Sequence, residues 1–166
     1  MQLFFLNVNA NASIIVAMTR PDKTTVEIWI GLNRAHRAIL SSVEKSLKDA
    51  SMPPLSWYDV LHELDIAGAK GARAYLLQEK LLLPQYALSR LIERIEKAGF
   101  LQRQSCTDDG RGQILIITQS GKIIRKKIWS VYGNALQQAI GNNLCHEDKE
   151  QLLQLLVQLK QTDQKL

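Results

Sequence analysis

The sequence predicts a mainly helical chain carrying one small β-hairpin, an α+β arrangement. Three observations carry that expectation. Apolar residues recur at three- and four-residue spacing along most of the chain, the period of helices with one buried face. One segment breaks the pattern: Phe100–Gln104 and Ile114–Thr118 are short strand-like runs, and an Asp109-Gly110 pair between them suits a tight reversal. Finally, 166 residues with 46% hydrophobic and 22% charged content suffice for one ordinary core, or one core shared with a partner.

The elements follow in order. Residues 1–20 read as an extension of unassigned role. They lack the basic start of a secretory signal, and their apolar runs are too short to span a bilayer. Leu32, Ala35, Ile39, Val43 and Leu47 fall at helical spacing within a long first helix, Thr24 to Leu47. Met52-Pro53-Pro54 breaks it, and Ser56 is expected to cap a second helix reaching Ile66, with Val60, Leu61 and Leu64 inside. A third helix is expected from Ala72 to Lys80. Leu83-Pro84 opens a fourth, with proline in the tolerated first turn, and Gly99 closes it. Thr118 is expected to cap a fifth helix running to Ile140, with Ile124, Ile128, Val131, Ala135 and Ala139 on one face. Gly141-Asn142-Asn143 then turns the chain into a last helix bearing Leu152, Leu156 and Leu159.

Charge is unevenly placed. Residues 71–127 hold eleven Lys/Arg against five Asp/Glu, a balance of +6, whereas the remainder holds ten against eleven, a balance of −1. A basic middle segment suits a polyanionic partner, although a solvated surface is the bland alternative. On the fourth helix Ala87, Leu88, Leu91, Ile92 and Ile95 gather on one side. Gln85, Tyr86, Ser89, Arg90, Glu93, Arg94, Glu96 and Lys97 occupy the other. Amide, hydroxyl and guanidinium groups are the chemistry that reads base edges and phosphates.

A short helix, a brief turn, an amphipathic helix and a basic-tipped hairpin make a winged helix-turn-helix. In that arrangement the second helix enters the major groove. Gln85, Tyr86, Ser89 and Arg90 are then the expected base readers, with Arg94 and Arg103 on phosphates. Arg111, between Gly110 and Gly112, is placed to enter the adjacent narrow minor groove.

The stretch LSRLIERIEKAGFLQRQSCTDDGRGQILIITQSGK, residues 88–122, resembles the core signature of the MarR family of bacterial transcriptional regulators. That signature runs from recognition helix through a glycine, a first wing strand, an Asp-x-Arg tip and a second strand to Leu-Thr-x-x-Gly. Asp109-Gly110-Arg111 and Ile117-Thr118-Gln119-Ser120-Gly121 fill its last parts, with Ile117 in place of leucine. Pro84 stands where the helix often has a polar cap. The resemblance is specific from Leu88 to Gly121 and architectural over about residues 22–161. It implies an obligate homodimer on a pseudo-palindromic operator, with residues 21–54 and 119–166 forming the helical dimerisation region and 55–118 the DNA-binding domain. It also implies, in many members, an effector pocket between those parts. Trp29, His36, Trp57, Tyr58 and His62 lie where such a pocket would open, and they equally suit a core.

Other readings are weaker. Cys145-His146-Glu147-Asp148 resembles a metal cluster, but consecutive helical side chains diverge by about 100°. An acidic helix start is the simpler reading. Two cysteines give no disulfide framework, and Cys106 reads as a plain free thiol. No Ser-His-Asp set, phosphate-cradling glycine loop or paired metal ligands assemble, so neither an enzyme nor a cofactor is expected. The reading is a cytoplasmic DNA-binding regulator, expected to repress by occluding a promoter and to be released by a small aromatic effector. The alternative is a winged helix that binds protein instead, which Glu93, Glu96 and the weak helix cap would favour.

Overall fold

The computed structural model describes residues 20–81, 83–105 and 113–160. The chain forms two compact units that part between Arg34 and Ala35. The first unit contains the beginning of α1 (Lys23–Asp49). Asp22 caps it, its carboxylate accepting the Thr25 N–H at 2.7 Å, and that hydrogen bond holds the Asp22 pKa below its ordinary value. Val26, Ile28, Trp29 and Ile30 of this unit are exposed.

The second unit carries the remaining elements: α2 (Leu55–Ala67), β1 (Ala72–Arg73), α3 (Ala74–Leu81), α4 (Gln85–Lys97), β2 (Leu101–Ser105), β3 (Gln113–Ile117), α5 (Gln119–Leu136) and α6 (His146–Lys160). Two clusters form its core. One joins Val60, Leu61 and Leu64 of α2 to Leu77 of α3, to Leu88, Leu91, Ile92 and Ile95 of α4, and to Leu101, Leu115 and Ile117 of the sheet. The other gathers Val43 and Leu47 with Tyr58, Ile128 and Ala135, where α1, α2 and α5 meet. The helical faces read from spacing are thus the buried faces on α2, α4 and α5.

Four local expectations are corrected. Ser56 does not cap α2. The N-cap is Pro54, and the open Leu55 N–H is met by the Glu44 carboxylate of α1 at 3.2 Å. Residues 72–80 are not one helix, because Ala72 and Arg73 pair antiparallel with Leu115 and Ile114 before α3 begins. The sheet therefore has three strands, in the order β1-β3-β2, and β2 faces β3 from Leu101↔Ile117 to Ser105↔Gln113. Gly71 permits the third strand: its φ is 62°, and a Cβ there would come within 2.5 Å of the Leu115 carbonyl oxygen. Pro84 is the N-cap of α4 and not a first-turn residue, so the first turn loses no N–H. Finally, α5 ends at Leu136, and a π-helical turn over Gln137–Gly141 replaces the expected last turn.

The junction of α4, the wing strands and α5 is built from hydrogen bonds. Gly99 (φ 77°) ends α4 in a Schellman motif: its N–H donates to Glu96 O at 2.8 Å, and the Phe100 N–H donates to Ile95 O at 3.1 Å. The Thr118 hydroxyl donates to the freed Gly99 carbonyl at 2.7 Å and accepts from the Gly121 N–H at 3.0 Å. Ser120 Oγ lies 2.8 Å from both that carbonyl and the Thr118 hydroxyl. Any Cβ on Gly121 would overlap the Phe100 carbonyl.

Two substitutions probe this junction. Thr118→Val should cost about 1–2 kcal/mol, the usual loss of a helix cap. Gly121→Ala should cost more, about 2–4 kcal/mol, because backbone and not a flexible side chain must move. Chemical denaturation of both variants checks the order; Gly121→Ala as stable as the parent would contradict it.

Candidate nucleic-acid interface

The fourth helix is amphipathic in three dimensions as in sequence. Leu88, Leu91, Ile92 and Ile95 are buried, while Gln85, Tyr86, Ser89, Arg90, Glu93, Arg94 and Lys97 are exposed. Tyr86 is 69% exposed. The Pro84 carbonyl accepts the Ala87 and Leu88 N–H groups at 3.0 and 3.1 Å, leaving those of Gln85 and Tyr86 at the open helix start. Gln85, Tyr86, Ser89 and Arg90 therefore share one exposed, uncharged-to-basic surface in the first two turns.

The next two arginines differ. The Arg94 guanidinium carbon sits 5.9 Å from the ring centre of Trp57, a cation–π placement. Arg103, on β2, donates to Glu96 at 2.9 Å and to the Gln113 side chain at 3.1 Å. Glu96 thus faces a cation of its own chain. Arg111 and Cys106 lie outside the described residues.

Of the aromatic and histidine positions expected at a pocket, Tyr58 and His62 are in ring contact with one another, and Trp57 lies in the other core cluster. Trp29 and His36 are exposed. Trp57 packs edge-on against Phe100, with centroids 5.9 Å apart, in the α2–α4–sheet core. Tyr58 belongs to the other cluster, stacked on His62 at 5.3 Å and on Trp129 at 5.8 Å, with Tyr132 edge-on at 5.4 Å. Sequence reasoning missed Trp129 and Tyr132. Their i, i+3 spacing on α5 was the available signal, beside the aliphatic face that drew attention. Asp59 lies beside this cluster. Burial pushes its pKa above the ordinary 3.8, as do Glu44 and Glu63, while His62 pulls it down. Burial likewise raises the Tyr132 pKa, reinforced by Asp59 and Tyr58.

At the other end of the chain, Cys145 caps α6: its sulfur accepts the Asp148 N–H at 3.4 Å, and its thiol donates to the Asp148 carboxylate at 3.0 Å. His146 instead pairs with Glu150 at 3.2 Å, and Glu147 and Asp148 occupy the first turn. This is the acidic helix start expected from the dipole.

Helix α3, a short turn, the exposed-faced α4 and an antiparallel wing define a winged helix-turn-helix. Comparison with known proteins shows what the chain resembles. Residues 50–112 match the MarR family profile. No curated protein sequence matches the chain. Among solved structures it resembles a MarR family transcriptional regulator from Streptomyces coelicolor, in complex with DNA. The two share 21% identity at TM-score 0.77, over 86% of this chain and 93% of that one. It also resembles a mutant MarR from E. coli complexed with operator DNA, at 20% identity and TM-score 0.71, over 84% and 99%. A third likeness is to the organohalide-sensing RdhR regulator in its 2,4-dichlorophenol-bound form, at 16% identity and TM-score 0.72, over 89% and 88%. The MarR resemblance is thus found at two levels, in sequence over residues 50–112 and in fold over most of the chain.

Asp59 supplies a pH prediction. Its folded pKa lies above the unfolded value, so the native state binds the extra proton between the two, and stability falls as pH rises through that window. Asp59→Asn should therefore be at least as stable as the parent at neutral pH, with the advantage vanishing below the ordinary aspartate range. Denaturation midpoints across pH 3–8 measure this; an Asn variant less stable than the parent at pH 7 would contradict the sign.

Proposed function

We infer that this chain is a sequence-specific, DNA-binding transcriptional regulator of the MarR type, acting as a homodimer on a pseudo-palindromic operator in the cytoplasm. Repression by occluding a promoter is the simplest outcome. The observation that carries the reading is the exposed face of α4, where Gln85, Tyr86, Ser89 and Arg90 stand clear of their own fold. The basic surplus of residues 71–127, the segment that contains α4, would supply the phosphate attraction. The solved relatives held by DNA or operator DNA have the same fold. Regulators of the MarR type act by binding DNA, without catalysis. The rival reading, a protein-binding winged helix, loses part of its support because Glu96 is matched by Arg103 and the α4 start keeps its N–H groups.

The dimer rests on α6, where Leu152, Leu153, Leu155, Leu156, Val157 and Leu159 are all at least 37% exposed. A second copy is the economical cover for such a surface, since an isologous contact serves both chains and sets two recognition helices roughly 34 Å apart. Light scattering at micromolar concentration should give twice the chain mass; a monomer would remove the dimer from the account.

Effector control is assigned to the ring cluster of Tyr58, His62, Trp129 and Tyr132, where α2 meets α5. A small aromatic compound seated there would change DNA affinity by linkage, with coupling on the order of 1–3 kcal/mol.

Two arginines test the DNA contacts. Arg90→Ala should cost about 1–3 kcal/mol on operator and much less on random duplex, because a base contact is lost. Arg111→Ala should weaken operator binding most where the flanking sequence is an A-tract, and Arg111→Lys should recover little. Operator and random-duplex affinities of the three variants decide; Arg90→Ala lowering both equally would rule out base reading by Arg90.

A further inference from the structure

Arg103 spans three elements. Its Nε donates to Glu96 Oε2 at 2.9 Å, in the last turn of α4, and its Nη1 donates to the Gln113 side-chain oxygen at 3.1 Å, at the start of β3. Arg103 itself stands mid-way along β2, paired with Leu115, so Gln113 is its diagonal neighbour on the same sheet face. Arg103 and Gln113 also line a cleft of about 160 Å³, together with Ser89, Ile92, Glu93 and Leu115. Apolar packing of Ile92 and Leu115 joins helix and sheet beneath the cleft, and the bridge adds a directional polar contact across its open side. The pair is about one third exposed on each side (32% and 36%), so it adds little to global stability. Its consequence is geometric. A planar guanidinium that satisfies two partners at once holds both at a defined distance and direction, which an ammonium would not.

The geometry points to Arg103 as a positioning residue: with Glu96 and Gln113 it braces the wing against the recognition helix. The brace rests on the DNA-binding reading above. A duplex read by a helix in one groove and a wing in the next must meet both at a fixed relative angle. An unbraced wing must be ordered on binding, which costs affinity for the specific site and hardly affects loose attachment to phosphates. Arg103 then works through its own chain, and the phosphate contact expected from sequence falls to its neighbours.

Glu96→Gln separates the two roles by sign. Removing a carboxylate near DNA should tighten every duplex if only phosphate attraction matters. The brace predicts instead that operator affinity falls by roughly threefold to tenfold while random-duplex affinity holds or rises. Charge reversal supplies the second arm. Arg103→Glu should lose tenfold or more on operator, by leaving two carboxylates facing each other, and Glu96→Arg combined with it should return to within about threefold of the parent. The operator-to-random ratio should return as well. All variants are measured in the full-length chain by fluorescence anisotropy, with melting curves to confirm folding. A double variant as weak as Arg103→Glu, or a Glu96→Gln that tightens operator binding, overturns the brace alone. A parent that binds no duplex overturns the DNA reading and the brace together.

Discussion

The Thr118 hydroxyl sits where three elements must meet, and the geometry of the candidate DNA surface depends on it. It donates to the carbonyl that the Gly99 turn leaves unpaired, and it accepts from the first turn of α5 through Gly121. A helix end and a helix start, each with unsatisfied backbone groups, thereby satisfy one another. The arrangement also fixes direction. Helix α4 ends, the chain goes out along β2 and back along β3, and it must return to within hydrogen-bond reach of its starting point, as the Thr118 N–H does at Phe100 O, 3.1 Å. Gly121 is required because only a missing side chain lets α5 begin this close to that carbonyl.

From that fixed point the electrostatics sort themselves. The C-terminal half of α4 is internally engaged: Arg94 lies over Trp57, and Glu96 is matched by Arg103. Among the described residues the N-terminal half has no such ion pair or ring contact, and it carries the amide, phenol, hydroxyl and guanidinium groups suited to base edges. Ion pairs also hold α2, the floor of this domain, against its neighbours: Asp65 with Arg125 at 2.8 Å and Lys122 at 4.0 Å, both on α5, and Glu63 with Lys80 of α3. Charged residues thus divide between those that set the frame and those left facing outward. Net charge alone does not make that distinction.

Much of this was legible in sequence because it depends on local rules. Leu88, Leu91, Ile92 and Ile95 announce a buried face, and Gly99 and Thr118 announce the ends of two helices whatever lies around them. The corrections share a different cause. Ala72-Arg73 became a strand because β3 offered it a partner more than forty residues away. Leu55 found its cap in Glu44 of another helix, so Ser56 was not needed. The partners of Arg103, Glu96 on α4 and Gln113 on β3, are likewise invisible along β2 alone. Trp129 and Tyr132 gained meaning only when Tyr58 was placed between helices. Spacing along one element reports its buried face; it does not report what another element brings to that face.

The central claim is that the exposed start of α4 reads base sequence from a two-fold assembly. Selection of bound sequences from a random duplex pool tests this most directly, since it presupposes no operator. The account predicts enrichment of an inverted repeat whose half-sites are centred about one DNA turn apart, roughly 10 base pairs. Recovery of a pool indistinguishable from the input, with binding that depends on salt alone, would contradict it.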